Sequence, residues 1–418
     1  MQTLISDKKY KITRKEKYDF EGESYSKSYP NLHRYPATMI PQIGIEILKE
    51  LNINAKSLLD PYCGSGSSFI AGYNEQIPFM KGFDLNPLAV LISKAKFTKL
   101  DLKELEYYYS NIVTAITNAQ FEINDICDLK TPNITNVEYW FSQNVLKKLI
   151  IIKSMIDKID NIQIKNFFLV PFSETIRESS LSRNGEFKLF RIPKDKIDTF
   201  NPNPYDIFLT KIALIITNYK KYYYPLLNNN IKTEIELNSF TFKDEKFDIV
   251  LTSPPYGDSK TTVAYGQFST FINEWLGIEY ARKIDSILMG GKTKKELYKN
   301  SIITDYIEDI YNISPKRAFE VSSFYYDLED SINEVSKSIN NNGYAVYIVG
   351  NRNVKGINLP TDQFIVECFE KNGFKHKITY NRKLGNKTMP LQNSPTNMKG
   401  ILSNTMSDEY IIITKKSK

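Results

Sequence analysis

Short runs of consecutive apolar residues alternate along the chain with longer stretches in which apolar residues recur every three or four positions. The first pattern indicates buried strands and the second amphipathic helices, so their alternation favours an α/β fold with a mostly parallel sheet. The predicted strands are residues 57–60, 80–84, 234–237, 247–251, 343–349, 376–380 and 409–414. We expect a terminal antiparallel strand among the last of these, and helices at 322–340 and 363–370.

Two insertions interrupt this alternation. Residues 100–230 are too many for one crossover helix between the second and third strands. Helical periodicity at 105–117, 143–159 and 207–223 predicts that this insertion is mainly helical. Residues 257–315 form a second insertion after the fourth strand, with the basic cluster Lys292, Lys294 and Lys295. We therefore divide the chain into residues 1–99 and 231–418, the two parts of one core, and the insert 100–230.

Composition excludes several classes of protein. The 418 residues are 41% hydrophobic and 25% charged, which rules out disorder, and the net charge of +7 suits a polyanionic partner without requiring one. Three cysteines at wide spacing and two histidines provide neither a disulfide framework nor a metal knuckle, so no metal is expected. We find no secretory signal and no apolar run of about 18 residues, so we expect a cytoplasmic protein without a membrane segment.

A glycine-rich turn follows the first predicted strand, with the sequence Asp60-Pro61-Tyr62-Cys63-Gly64-Ser65-Gly66. Its glycines let a ligand approach the backbone, and Asp84, about 20 positions on, could accept hydrogen bonds from ribose hydroxyls. Phe69 stands where a dinucleotide fold needs a third glycine, and the Asp60 carboxylate suits a cation better than a pyrophosphate. A ribose-bearing cofactor with positive charge and no phosphate, such as S-adenosylmethionine, fits this turn best.

A second turn, Thr252-Ser253-Pro254-Pro255-Tyr256, follows the fourth predicted strand. Its two prolines fix the backbone and remove two N–H donors, which leaves rigid carbonyl acceptors beside the Ser253 oxygen. Such a cup of acceptors suits the exocyclic amine of a base, and Tyr256 offers a flat face for the ring. Transfer of a methyl group to that amine needs positioning more than a strong base.

With these motifs the sequence resembles the bacterial amino-group DNA methyltransferases, and most closely the branch that methylates the N4 position of cytosine. The resemblance is carried by His33-Arg34-Tyr35-Pro36-Ala37, the turn at 59–66, Gly82-Phe83-Asp84-Leu85-Asn86-Pro87, the turn at 252–256, and segments 173–177 and 393–397. It implies a Rossmann-like S-adenosylmethionine-dependent methyltransferase fold with a seven-stranded sheet. It also implies double-stranded DNA as substrate and a restriction-modification system, in which a restriction endonuclease would be the partner.

The resemblance also assigns residues. The residues that would surround the cofactor are Tyr35, Pro36, Asp60, Tyr62, Cys63, Gly64 and Gly66 around its methionine part, Asp84 at its ribose and Asn238 near its adenine. The flipped base would be held by the catalytic set Ser253, Pro254, Pro255 and Tyr256. Because Ser253 stands where an Asp or Asn is found in relatives acting on adenine N6, it favours cytosine N4.

Basic side chains are expected to hold the DNA while the target base is flipped out of the duplex. The predicted contacts are Arg177, Arg183, Lys188 and Arg191 near the end of the insert, and Arg382 and Lys387 beside the last strands. A solvated surface is the alternative interpretation of each group. Phe268 or Met389 is expected to fill the gap that the flipped base leaves.

Other functions remain open at this stage. An adenine-N6 methyltransferase would use the same chemistry, and a guanine-N2 RNA methyltransferase has a similar turn, usually with Asp or Asn at the position of Ser253. A decayed methyltransferase that only binds DNA is a further alternative. Carbon-5 cytosine methylation is excluded because no cysteine nucleophile follows the proline, and base deamination because its zinc motif is absent.

Overall fold

The computed structural model describes residues 10–21, 28–119, 132–259, 262–384, 392–393, 403–404 and 407–417. Its main sheet has eight strands: β1 Ile12–Arg14, β2 Ser57–Asp60, β3 Phe79–Asp84, β4 Lys232–Leu237, β5 Phe247–Thr252, β6 Ile339–Val349, β7 Phe374–Lys383 and β8 Asp408–Lys416. Two short ribbons pair Asn353–Val354 with Ile357–Asn358 and Gln392–Asn393 with Ser403–Asn404.

Fourteen α-helices are described around the sheet in the ranges given above. They are α1 Pro41–Leu51, α2 Ser67–Asn74, α3 Pro87–Phe97, α4 Leu102–Ala119, α5 Val137–Trp140, α6 Gln143–Asp157, α7 Ile162–Ser179, α8 Lys194–Ile197, α9 Pro204–Asn218, α10 Tyr265–Trp275, α11 Ile284–Ile287, α12 Thr304–Ile313, α13 Pro315–Ser338 and α14 Thr361–Lys371. A π-helical turn, Tyr219–Tyr223, continues α9, and 3₁₀ turns lie at Glu16–Tyr18 and Ala281–Lys283. None of the helices in these ranges is both long and apolar enough to cross a membrane.

The strands lie in the order β4-β3-β2-β5-β6-β8-β7-β1. All neighbouring pairs are parallel except those that β8 makes with β6 and β7, so β8 is the antiparallel strand. This arrangement confirms the predicted α/β class, with a mostly parallel sheet and a terminal antiparallel strand. The edge strand β1 was not predicted, and it extends the expected seven strands to eight.

The central strands are buried on both faces of the sheet. Leu58 and Ile249 belong to one apolar cluster, while their neighbours Leu59 and Val250 belong to the cluster on the opposite face. A strand covered on both sides needs consecutive apolar residues, which is why these strands were recognisable as uninterrupted runs. Helix α13 packs in the second cluster, and helices α6 and α7 pack in the first.

The chain reverses its direction of travel across the sheet between β2 and β5. From β2 it proceeds outward to β3 and β4, and then returns to place β5 on the other side of β2. Ligands of open α/β sheets bind at the carboxyl ends of the strands beside such a switch point. Both turns singled out in the sequence, at 60–66 and 252–256, begin at this position.

Between β3 and β4 the described chain is mainly helical, in agreement with the predicted insertion, and it also contains a short hairpin at 181–192. Helix α7 is the principal element there that the sequence patterns did not delimit, and Pro171 lies inside it. Proline normally ends or kinks a helix, so its presence hid the continuity of this one.

Candidate active site

A cavity of about 370 Å³ lies at the carboxyl edge of the sheet beside the switch point. Its size is within the range of small-molecule sites. The predicted residues that line it are Tyr35, Pro36, Asp60, Tyr62, Cys63, Gly64, Asp84, Asn238, Ser253 and Pro255. The cofactor turn and the proline turn therefore share one cavity, as expected for two reactants that must meet.

Asp60 joins the two turns directly. Its Oδ1 accepts hydrogen bonds from Thr252 Oγ1 at 2.6 Å and from the Tyr62 backbone N–H at 3.0 Å. Ser68 donates to Oδ2 from the first turn of α2. Only 3% of Asp60 is exposed, and this burial raises the pKa of its carboxyl to about 6 despite these three donors.

Asp84 holds the glycine-rich turn from the end of β3. Its Oδ2 accepts from the Gly64 N–H at 3.0 Å and its Oδ1 from the Asn86 N–H at 2.8 Å. Burial raises the pKa of this carboxyl to about 6 as well. The ribose contact of Asp84 stays a prediction, and the structure shows that its carboxylate fixes the backbone of the turn.

Two features behind the turn keep it close to the sheet. Gly66 is the one predicted cofactor residue outside the cavity lining, and it directly precedes α2. Its φ is 82°, and an added Cβ would lie 2.4 Å from the Phe97 ring. Lys96 is buried and donates to the Ser65 carbonyl at 2.9 Å. Burial lowers the pKa of this lysine to about 7.

Aromatic rings form the wall next to the segment at 33–39. Tyr35 stacks with Tyr265 of α10 at a centroid distance of 5.9 Å, and Asn86 Nδ2 donates to the Tyr35 hydroxyl at 3.1 Å. The Asn86 side-chain oxygen caps the first turn of α3 by accepting from the Leu88 N–H. One amide side chain thus connects a helix start to the cavity wall.

The proline turn is held by a series of hydrogen-bonded polar side chains. Ser253 Oγ lies 3.2 Å from the Tyr256 hydroxyl, which donates to Glu409 Oε1 at 3.0 Å. Glu409 in turn pairs with the Arg382 guanidinium. Pro254 and Tyr256 are not among the residues that line the cavity. Tyr256 therefore holds Ser253 through the hydroxyl contact and does not itself face the cavity in this structure.

The charges in the cavity are of one sign. Asp60, Asp84 and Asp327 are among its lining residues, and within the described part of the chain no Lys, Arg or His lines it. Such a site disfavours a pyrophosphate and favours a cationic ligand. A sulfonium cofactor with an amino group and ribose hydroxyls matches these carboxylates, which can accept its hydrogen bonds and face its positive charge.

Several lining residues were missed by sequence reasoning. Tyr265, Asp327 and Ser331 come from helices α10 and α13, and residues 287–289 come from the end of α11 and the loop after it. Ser331 accepts a hydrogen bond from the Tyr62 hydroxyl, and Asp327 accepts one from the Gly290 N–H at 2.8 Å. Lone polar residues on long helices carry no local motif, so only the packing reveals them.

The predicted DNA contacts fall into two groups. Arg177 and Arg382 are buried, and their guanidinium groups donate to backbone carbonyls of Phe268 and Tyr18, so they are placed to hold the fold and not to reach a phosphate. Arg183 is exposed, and Lys188 and Arg191 are partly exposed, all on a narrow hairpin at 181–192. Lys387 and Met389 lie outside the described residues.

The chain is similar to a known protein over most of its length. The chain is 36% identical over 415 residues to the type II methyltransferase M.MvaI of Kocuria varians, a match that covers 92% of this chain and 90% of that protein. No protein-family model matches the chain.

Two solved structures also show a likeness. One, described as a DNA modification methylase of Thermus thermophilus, is 21% identical over 23% of this chain and 38% of its own, with a TM-score of 0.17. The other, the rRNA methyltransferase aviRa of Streptomyces viridochromogenes, is 8% identical over 96% of this chain and 93% of its own, with a TM-score of 0.29. These TM-scores are too low for either structure to inform function.

Proposed function

Because the chain belongs to the type II methyltransferases, we propose that it transfers the methyl group of S-adenosylmethionine to the exocyclic N4 amine of cytosine in double-stranded DNA. The observation that carries the proposal is the shared cavity, in which Asp60 and Ser253 from two different turns line one space. Under this proposal the protein is the protective half of a restriction-modification system, which a restriction endonuclease of the same specificity would complete.

The cofactor would occupy the side of the cavity formed by the glycine-rich turn. Asp60 and Asp84 would face its positive groups and its ribose, and Asn238, an exposed residue of the lining, would lie near its adenine. When bound, S-adenosylmethionine supplies an electrophilic methyl group, so the protein need not provide a strong nucleophile. The absence of basic side chains from the described lining supports this cofactor over a phosphate-bearing one.

The target amine would be held at the proline turn. Ser253 Oγ and a rigid backbone carbonyl accept its N–H bonds and orient the nitrogen lone pair, which is positioning catalysis. Tyr256 and Glu409 hold the Ser253 hydroxyl in place through the hydrogen bonds described above. Since an amine within a duplex cannot reach the cavity, the target nucleotide must be flipped out. Ser253 in place of an acidic or amide residue supports cytosine as the base.

Incubation with S-adenosylmethionine carrying a tritiated methyl group and mixed-sequence duplex DNA tests the proposal. Hydrolysis to nucleosides and chromatography are expected to give label in N4-methylcytosine. Label in N6-methyladenine would keep the chemistry and overturn the choice of base. Absence of label from DNA, with label on RNA instead or on neither, would contradict the proposed substrate.

The role in restriction-modification has its own test. Fragments of the labelled DNA should carry label only where they contain one short sequence, and that sequence should become resistant to an endonuclease that cuts it. Label scattered without regard to sequence would contradict a protective role. Asp60→Asn serves as the control protein, because it removes the carboxylate that faces the cofactor.

A further inference from the structure

The hairpin at 181–192 projects from the end of α7 as a distinct element. Ser182 and Arg191 form a β-bridge, and the Ile192 N–H donates to the Leu181 carbonyl at 2.9 Å. The Arg183 N–H donates to the Phe190 carbonyl at 2.8 Å. The residues beyond this last bond, including Phe187, form the tip.

This hairpin is hydrogen-bonded to α10, the helix whose first residue, Tyr265, lines the active-site cavity. The Leu189 N–H donates to Gln267 Oε1 of α10 at 3.2 Å, and the Gln267 N–H donates to Asp285 Oδ2 at 3.1 Å. The chain then runs from Asp285 directly into residues 287–289, which line the cavity. The position of the hairpin is therefore fixed relative to the site of chemistry.

The hairpin combines exposed aromatic rings with positive charge. Phe187 is 40% exposed and Phe190 is 46% exposed, although large apolar side chains are normally buried. Arg183, Lys188 and Arg191 outnumber the one carboxylate of the segment, Glu186. An apolar ring among cations suits a partner that offers phosphates outside and flat apolar rings inside, which is the chemistry of a DNA duplex.

The two rings differ in their surroundings. Phe187 contacts Phe268 edge-on at a centroid distance of 6.4 Å, and Phe268 in turn packs against Tyr35 of the cavity wall at 6.1 Å. Phe190 instead lies next to the Arg183 guanidinium at 5.9 Å. Phe268, which the sequence suggested as the residue that fills the gap in the duplex, is only 9% exposed and lies behind Phe187.

We propose that Phe187 inserts into the duplex where the target nucleotide has been flipped out, while the basic residues of the hairpin bind the adjacent phosphates. This inference rests on the proposed function, since it requires a base to leave the stack. A flipped base leaves its neighbours unstacked, and an aromatic ring restores that stacking irrespective of sequence.

The test compares two duplexes that differ only opposite the target base, one with the paired guanine and one with an abasic site. Flipping from the second duplex requires no base pair to be broken, so it depends less on a wedge. We expect Phe187→Ala to lower kcat/KM about 10-fold or more on the paired duplex and less than about 3-fold on the abasic one. Phe187→Trp should keep most of the activity. The matched control is Tyr311→Ala on α12, because Tyr311 is 38% exposed and also contacts another ring edge-on, that of Phe319, and this variant should behave like the wild type on both duplexes.

Equal losses on the two duplexes, or no loss on either, would overturn the role of Phe187. Because the ring is partly exposed, its removal should leave thermal unfolding and cofactor affinity nearly unchanged, and both are measured on each variant. Failure of the wild-type protein to methylate either duplex would count against the proposed function itself. The two failures are therefore distinguishable.

Discussion

At the scale of single residues, Asp60 and Asp84 are carboxylates whose burial opposes their ionisation. Burial raises the pKa of each to about 6, whereas a cationic ligand favours the ionised form. We therefore expect the affinity for S-adenosylmethionine to fall as the pH drops through about 6, where both carboxyl groups take up protons. Calorimetric titration of the cofactor across this range checks the expectation, and constant affinity would contradict it.

The same burial has an opposite effect on the protein without cofactor. Because the folded-state pKa of Asp60 lies above its unfolded value of 3.8, its contribution favours the folded state at low pH and is lost as the pH rises through about 6. Asp60→Asn remains neutral, so at pH 7 the unliganded variant should gain up to about 3 kcal/mol in the free energy of unfolding. It should also bind cofactor more weakly. Denaturant unfolding and calorimetry measure the two effects, and a less stable variant at pH 7 would contradict the argument.

Tyr256 offers a test of the hydrogen-bonded polar side chains that hold the proline turn. Tyr256→Phe keeps the ring but removes the hydroxyl that lies between Ser253 and Glu409. Turnover should fall by about 10-fold or more while cofactor affinity stays the same, since the lost group orients only the target amine. The control is Tyr325→Phe, whose buried hydroxyl contacts Thr361 away from the cavity. Equal effects of the two variants on turnover would exclude a positioning role.

At the scale of elements, a strand or helix could be predicted from the sequence when it was long enough and buried enough to leave a clear pattern of apolar residues. Strands such as β5 are buried on both faces and appear as uninterrupted apolar runs, so they were predicted to within about two residues. Strand β1 has only three residues, too few for any periodicity, and α7 contains an internal proline. The turn residues of the site were found because glycine and proline mark turns, whereas Asp327 in the middle of α13 and Glu409 near the start of β8 carry no such mark.

The turn before α2 allows a prediction about the need for glycine at position 66. Gly66 has a φ of 82°, and an added Cβ would lie 2.4 Å from Phe97 and 2.8 Å from Ser93 Oγ. Gly66→Ala should therefore weaken folding and cofactor binding together. Gly277→Ala is the matched control, because Gly277 has a φ of 74° but open space around it, so only the backbone strain of about 1 kcal/mol is added. Comparison of melting temperatures separates strain from steric conflict, and equal shifts would show that the contact with Phe97 does not matter.

At the scale of the whole molecule, the net charge of +7 does not reveal which basic side chains would contact DNA. Arg382 is 1% exposed and pairs with Glu409, so Arg382→Ala should lower the free energy of unfolding by about 3–5 kcal/mol.

Arg183 is exposed, so Arg183→Ala should leave the free energy of unfolding unchanged. It should reduce the slope of the logarithm of DNA affinity against the logarithm of salt concentration by about one. Fluorescence anisotropy of labelled duplex at several salt concentrations measures the slope, and an unchanged slope for Arg183→Ala would remove it from the DNA-binding surface.

Strand β8 joins distant parts of the chain. It pairs with both β6 and β7, and its Glu409 accepts the hydrogen bond of Tyr256, a residue 153 positions earlier. The hydrogen bonds described for the glycine-rich turn involve no residue of β8, because its distant partners Thr252 and Ser331 both precede that strand in the chain. During synthesis on the ribosome, the cofactor pocket can therefore form well before the amine-binding turn is supported. A growing chain would bind the methyl donor but transfer it poorly, and full competence to modify DNA would arise only after β8 has been translated and has entered the sheet.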